Sequence, residues 1–241
     1  MKKTFLIFLI LSANLGFAQD IDYTRKMLET LTSGKYWGRG YTKNGMEKAA
    51  NFIEAEFKKT GLETLGSGSY KQAFSFPVNT FPGKMHVNIN GKELKPGEDF
   101  IVSPASSGVN AVVDLSKKDS ATYVNEKYKV VVSLKDKLTW SVSTKEDSIT
   151  TISVNRKRFK ETPVRISAEI QNKFVPSFKA YNVSGIIKGT RFPDSMLVVT
   201  AHYDHLGGMG KGTFFPGAND NASGVAFLLS LAKHYIKNPP E

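Results

Sequence analysis

Two short runs carry the side chains able to do chemistry. The first is His202-Tyr203-Asp204-His205, delivered at the end of the apolar run Met196 to Ala201. The second is Asp220, set in the glycine-bounded stretch Gly217-Ala-Asn-Asp-Asn-Ala-Ser-Gly224. A strand end, a loop and a helix start are where an α/β protein gathers its reactive groups, because side chains there leave the sheet and converge in a crevice. One imidazole and two carboxylates arriving together suit a divalent cation. The chain has no cysteine, so thiolate sites and disulfides are excluded and zinc or a similar ion is the expected guest. Simpler readings stand beside this one. A histidine next to an aspartate is often only a hydrogen-bonded pair, and Asp220 or Asn221 could serve as the cap of the following helix.

The elements that must position these groups follow from periodicity. Asn182–Lys188 and Met196–Ala201 read as two strands, and the seven residues between them are too few for a parallel crossover, which predicts an antiparallel pair. Ala222–Ile236 repeats apolar residues at helical spacing (Val225, Leu228, Leu229, Ala232, Ile236) and stops at Pro239-Pro240. Upstream, Ile21–Leu31 and the segment from Ala49 to Gly61 read as amphipathic helices. In the second, Ala49, Ala50, Phe52, Ile53 and Phe57 form the apolar face, Glu54 and Glu56 lie on the solvated face, and Gly61 is the C-terminal cap with Leu62 folding back. Tyr70–Phe76 is a strand expected to end at Pro77.

From residue 77 to 178 the texture turns to β. Met85–Leu94 alternates around Asn90-Gly91, a strong hairpin signal, and Lys129–Leu134, Ser148–Val154 and Val164–Ile170 are rich in Val, Ile and Thr. The chain therefore divides into a leader (1–18), a first α/β part (19–76), an inserted β-rich module (77–178) and the part bearing the candidate site (179–241). His86, inside the first hairpin, has no other ligand-type residue close by in sequence and reads as a surface histidine. His234 falls on the far part of the last helix.

Composition bounds the function classes. Of the 241 residues, 40% are hydrophobic and 23% charged, so a packed core is expected. The net charge is +11, but lysines and arginines are scattered, with Arg156-Lys157-Arg158 the densest run, and no nucleic-acid reader motif accompanies them. A nucleic-acid partner is not expected. Lys2 and Lys3, the apolar run Phe5–Leu15 and the small residues Gly16 and Ala18 form the pattern of a secretory signal cleaved after Ala18. The mature protein is then exported, to the periplasm or the outside, with no stable membrane insertion.

Val199-Thr-Ala-His202-Tyr-Asp204 followed by Gly217-Ala-Asn-Asp220-Asn-Ala-Ser-Gly224 resembles the M28 family of zinc aminopeptidases. Gly38-Arg39-Gly40, the helix ending at Gly61 and Tyr70-Lys-Gln72-Ala-Phe74 resemble the family's N-terminal region. The resemblance implies a mixed-sheet α/β zinc exopeptidase fold. Many relatives carry an inserted β-rich domain, often of the protease-associated type, where residues 77–178 stand. It also implies that His202 is a ligand of one of two Zn2+ ions, that Asp220 is the carboxylate bridging both, and that Asp204 is the aspartate behind His202. His205 stands where relatives have serine or histidine and is not counted as a ligand. A carboxylate behind a ligating imidazole fixes its tautomer and raises its basicity.

The family further uses a Glu-Glu pair, another acidic ligand and a final histidine beyond the Asp220 helix, which residues 1–241 do not include. The expectation is an exported aminopeptidase acting on peptide substrates, of which these residues are either an N-terminal fragment or a natural truncation, inactive alone. Two alternatives remain open on the sequence: a non-catalytic, receptor-like relative of the same fold, and a glutaminyl cyclase-type enzyme. Nothing in the residues specifies oligomeric state.

Overall fold

The computed structural model describes residues 20–66, 68–192 and 194–241. The signal-peptide reading of residues 1–18 lies outside the described residues. Three helices form one layer. Helix α1 (Ile21–Thr32) opens where the Asp20 carboxylate accepts the Tyr23 N–H at 2.9 Å, an N-cap that satisfies one of the first-turn amides. Helix α2 (Gly45–Thr60) buries Ala49, Ala50, Ile53 and Phe57, and Gly61 closes it with its N–H bonded back to Phe57 and Lys58. Helix α3 (Ser223–Lys237) buries Val225, Ala226, Leu229 and Ala232. These faces meet in one apolar cluster with Met27, Leu31, Tyr36 and Leu62. Glu56, expected on the solvated face, is instead 9% exposed and accepts the Tyr23 hydroxyl at 2.7 Å, so the interhelical hydrogen bond compensates its burial. None of the described helices is long and apolar enough to cross a membrane.

A two-stranded ribbon leads away from the helices. Strand β1 (Lys71–Thr80) pairs antiparallel with β11 (Lys173–Val183), from Lys71 opposite Val183 to Thr80 opposite Lys173. The expectation that Pro77 ends β1 fails. The register shifts between Phe76 and Val78, and Pro77 sits in that irregularity against Pro176 and Ser177, where no ladder N–H is required of it.

The ribbon carries two sheets between its outer ends. One is antiparallel, in the order β3 (Lys92–Leu94), β2 (Met85–Ile89), β10 (Arg165–Ile170), β5 (Val109–Asp114). The other is mixed, in the order β4 (Phe100–Val102), β9 (Thr150–Asn155), β8 (Val130–Lys135), β7 (Thr122–Asn125), β6 (Ser116–Lys117), with β8 and β9 parallel. Asn90 and Gly91 both take positive φ in the β2–β3 turn, as the hairpin signal requires. The protein is thus a mixed α/β structure with mixed sheets.

The 182–206 stretch differs most from expectation. Between Val183 and Leu206 the only pairing among the described residues is a single bridge from Ile186 to Glu63, so 182–188 is the end of β11 rather than a strand of its own. Met196–Ala201 joins no sheet, and Leu197 is 87% exposed. Its expected partner is mostly not a strand: β11 ends at Val183, and of residues 184–188 only Ile186 makes a bridge, to Glu63, so the segment has no extended neighbour to pair with and leaves its N–H and C=O groups to solvent. The chain then forms a small hairpin, β12 (Gly207–Met209) and β13 (Thr213–Phe215). Met209 is fully buried in the apolar cluster of the β-rich part, and the Gly210 N–H bonds the Phe81 carbonyl at 2.8 Å. The loop that follows the candidate site is therefore fastened inside the β-rich core.

Because of that fastening, Met209→Ala is expected to cost about 2–5 kcal/mol, the usual toll for emptying a buried Met site. Denaturant melts with probes in the β-rich part would read it. An unchanged midpoint would show that the hairpin is not part of this core.

Candidate metal centre

The irregular segment 202–206 and the loop 216–222 lie side by side, and together they bring the two sequence runs into contact. His202 Nε2 stands 3.1 Å from Asp220 Oδ1. The other ring nitrogen, Nδ1, faces Asp204, 3.4 Å from Oδ1 and 3.2 Å from the backbone carbonyl. His205 Nδ1 is 3.7 Å from Asp220 Oδ2, so the two oxygens of Asp220 look toward different imidazoles. His202, Asp204 and Asp220 are open to solvent, whereas His205 is mostly covered. Burial pushes the His205 imidazole below its ordinary range; Asp220 opposes this and Arg39 adds to it, leaving the ring neutral near pH 7. His86 lies apart from these residues, paired with Glu93 at 2.8 Å across the β2–β3 hairpin. His234 lies in the last turn of α3.

The turn Ala218–Ala222 is wound wider than an α-helix, with the Ala222 N–H reaching the Gly217 carbonyl at 3.3 Å. The Asp220–Asn221 peptide is cis. Asn221 Oδ1 accepts the Gly224 N–H at 3.1 Å. The helix cap and the candidate ligand are thus divided between neighbours: Asn221 tends the helix, which leaves the Asp220 carboxylate free to face His202. Gly217 has φ +59°, and a Cβ there would lie 2.4 Å from both the Asp220 carbonyl and the His205 ring. Only glycine fits.

One tyrosine and one arginine, neither a candidate by sequence motif alone, hold this assembly. The Tyr203 hydroxyl donates to the Tyr181 carbonyl of β11 at 2.7 Å and ties the His202 segment to the ribbon. Burial drives the Tyr203 and Tyr41 phenols up to about 12, with Asp204 adding to the effect, so both remain protonated at neutral pH. Arg39, fully buried, donates to the carbonyls of Tyr203, Pro216, Gly217 and Asp220 as well as Leu31. The sequence offers one hint of it, a cation placed between two glycines.

The fit to zinc can be tested on the donor positions. Nitrogen and carboxylate ligands at about 2.0–2.2 Å in a tetrahedral shell lie roughly 3.3 Å apart. The 3.1 Å between His202 Nε2 and Asp220 Oδ1 suits two donors of one cation. They amount to half a shell: among the described residues, no group of three or more His, Cys, Asp or Glu is arranged to hold an ion.

Residues 182–241 match peptidase family M28. A segment of 64 residues is 41% identical to a probable zinc metalloprotease of Pyricularia oryzae, covering 26% of this chain and 13% of that protein. The fold is similar to a peptidase M28 precursor from Shewanella amazonensis (TM-score 0.63, 16% identity, 93% of this chain and 62% of that one). It is also similar to a zinc aminopeptidase from Bacillus subtilis (TM-score 0.60, 16% identity, 89% of this chain and 57% of that one). The chain thus spans about three fifths of the length of these solved structures. The match to peptidase family M28 is thus confined to residues 182–241, while the similarity of fold extends over about nine tenths of the chain.

Gly217→Ala is expected to lower stability by about 1–3 kcal/mol through backbone strain alone, and more if the His205 ring must move. Gly212→Ala, with open space around its Cβ position, is the control and should stay within about 0.5 kcal/mol of the parent. Thermal melts of the two variants compare them directly.

Proposed function

We propose that the protein is an exported zinc aminopeptidase that removes N-terminal residues from peptides, the activity belonging to the whole natural protein. One observation carries the reading. In the segment that matches the peptidase family, an imidazole presents Nε2 to a carboxylate oxygen at ligand-pair distance and turns Nδ1 toward a second carboxylate. A hydrogen-bonded His–Asp pair alone would leave the Nε2 contact with Asp220 without a purpose.

In this reading His202 would hold Zn2+ through Nε2, and the Asp220 carboxylate would offer its oxygens to the same zinc centre. Asp204 accepts from Nδ1–H, which fixes the tautomer that leaves Nε2 free to ligate and makes it more basic. A bound zinc pair supplies Lewis acidity toward a peptide carbonyl and activates water near neutral pH. The chain's own contribution is to set the two donors at the right separation, in an open cleft that a peptide end can reach. Neutral His205 covers the inner side of Asp220. The general base and the remaining ligands are expected from parts of the protein beyond these residues, as in the M28 resemblance. The leader, cleaved after Ala18, accounts for export.

The test is an assay of the protein encoded by its natural reading frame on aminoacyl amide substrates, including N-terminal glutamine peptides. Hydrolysis that a chelator abolishes and zinc restores is expected. His202→Ala and Asp220→Ala should abolish it, and Asp204→Asn should weaken zinc binding by about 10–100-fold while leaving the fold intact. Cyclisation of the glutamine substrate without hydrolysis of the others would overturn the aminopeptidase reading in favour of a cyclase. The 241-residue chain by itself, with half a shell, is expected to hydrolyse none of these substrates.

A further inference from the structure

We infer that Arg39 is a positioning residue: by binding the backbone that carries both His202 and Asp220, its guanidinium sets the spacing of the two zinc donors. The inference rests on the metal-site reading above.

Arg39 is completely buried, yet among the described residues it forms no ion pair. All of its hydrogen bonds go to carbonyl oxygens. Nε reaches Tyr203 at 2.7 Å; Nη1 reaches Pro216 at 2.7 Å and Leu31 at 3.1 Å; Nη2 reaches Gly217 at 2.8 Å and Asp220 at 3.2 Å. A guanidinium has five N–H donors in a planar fork, one on Nε and two on each terminal nitrogen, and each is used here. The Tyr203 carbonyl lies between His202 and Asp204 in sequence, and the Asp220 carbonyl belongs to the other donor. A single planar group therefore spans the two loops and fixes one against the other. A third direction anchors it to α1 through Leu31. The backbone adds a sixth tie, from the His205 N–H to the Arg39 carbonyl at 3.2 Å.

The local chain is strained in a way that serves this placement. Trp37 and Arg39 are non-glycine residues at φ 44° and 48°. Such conformations cost on the order of 1–3 kcal/mol each and persist where the surroundings dictate them. Here the surroundings are the β12–β13 hairpin: a Cβ on Gly38 would meet the Phe215 and Gly207 carbonyls at 2.4 and 2.6 Å. The turn is pressed onto the hairpin that continues from the His202 segment, and the arginine side chain is sent inward beneath both loops. Burying an unpaired cation is costly, so a purely space-filling role would be met more cheaply by an apolar side chain. Burial lowers the Arg39 guanidinium from its ordinary range, and Asp204 and Asp220, close by, oppose that shift in part. Lysine could keep the charge but has three donors on a point-like ammonium and cannot span five carbonyls.

The test pairs Arg39→Lys and Arg39→Met with two measurements on the protein encoded by its natural reading frame, at a temperature where each variant is folded by circular dichroism. In the metal-free protein, hydrogen exchange over residues 203–222 should rise about tenfold or more, while strands β2 and β10 keep the parent rates. With zinc alone as probe, affinity should fall about tenfold or more, and the visible spectrum of the cobalt form should change, because the donors are displaced rather than removed. Folded variants with parent exchange and parent zinc affinity would overturn the inference. Faster exchange over 203–222 in a protein whose parent binds no zinc would support the clamp and sink the metal-site reading instead. Should neither variant fold, native-state exchange of the unmodified protein decides. The amides of 37–40 and 217–222 should open together as denaturant is added, and separate opening would overturn the clamp.

Discussion

A buried guanidinium bonded only to main-chain carbonyls is the constraint on which the site depends. Among the described residues Arg39 has no side-chain partner, so its charge is tolerated only while Leu31, Tyr203, Pro216, Gly217 and Asp220 keep their carbonyls turned inward. This makes three separate pieces of chain interdependent: the end of α1, the irregular segment after Ala201 and the glycine loop before α3. Neither loop belongs to a large sheet, and the His202 segment makes no ladder bonds of its own. Their geometry has to come from elsewhere, and the arginine together with Tyr203 supplies it.

The β-rich part adds a second, independent restraint. It is rooted on the β1–β11 ribbon, and it receives Met209 from the short hairpin directly after His205. Phe215 packs on Trp140 with ring centres 4.9 Å apart, and Phe214 packs on Trp37 at 5.2 Å. The hairpin thus carries aromatic contacts in both directions, one into the β-rich core and one into the turn that presents Arg39. A change in the β sheets can reach His202 and Asp220 by this route, through packed side chains.

Much of this was readable from the residues. The helices announced themselves because their apolar faces recur at helical spacing and because Gly61 closes α2; the Asn90-Gly91 turn announced β2 and β3. His202, Asp204 and Asp220 were legible as chemistry by type and spacing, and the structure brings them within a few ångströms. What was hidden depends on partners far away in sequence. Pro77 looked like a strand end because the irregularity that accommodates it is set by Pro176 and Ser177 on the partner strand. Glu56 looked solvated because its partner, Tyr23, lies on another helix. Met196–Ala201 has the composition of a strand, but composition does not provide a neighbour. Arg39 was least legible of all, since carbonyl acceptors exist at every residue and leave no mark on the sequence.

The central claim is that His202 and Asp220 share a zinc ion. An anomalous-scattering map from crystals of the zinc-loaded protein tests it most directly. The account expects a zinc peak bonded to His202 Nε2 and an Asp220 oxygen at about 2.0–2.2 Å, with Nδ1 still turned to Asp204. A peak bonded elsewhere, or one reached through His202 Nδ1 with Asp220 left aside, would contradict it.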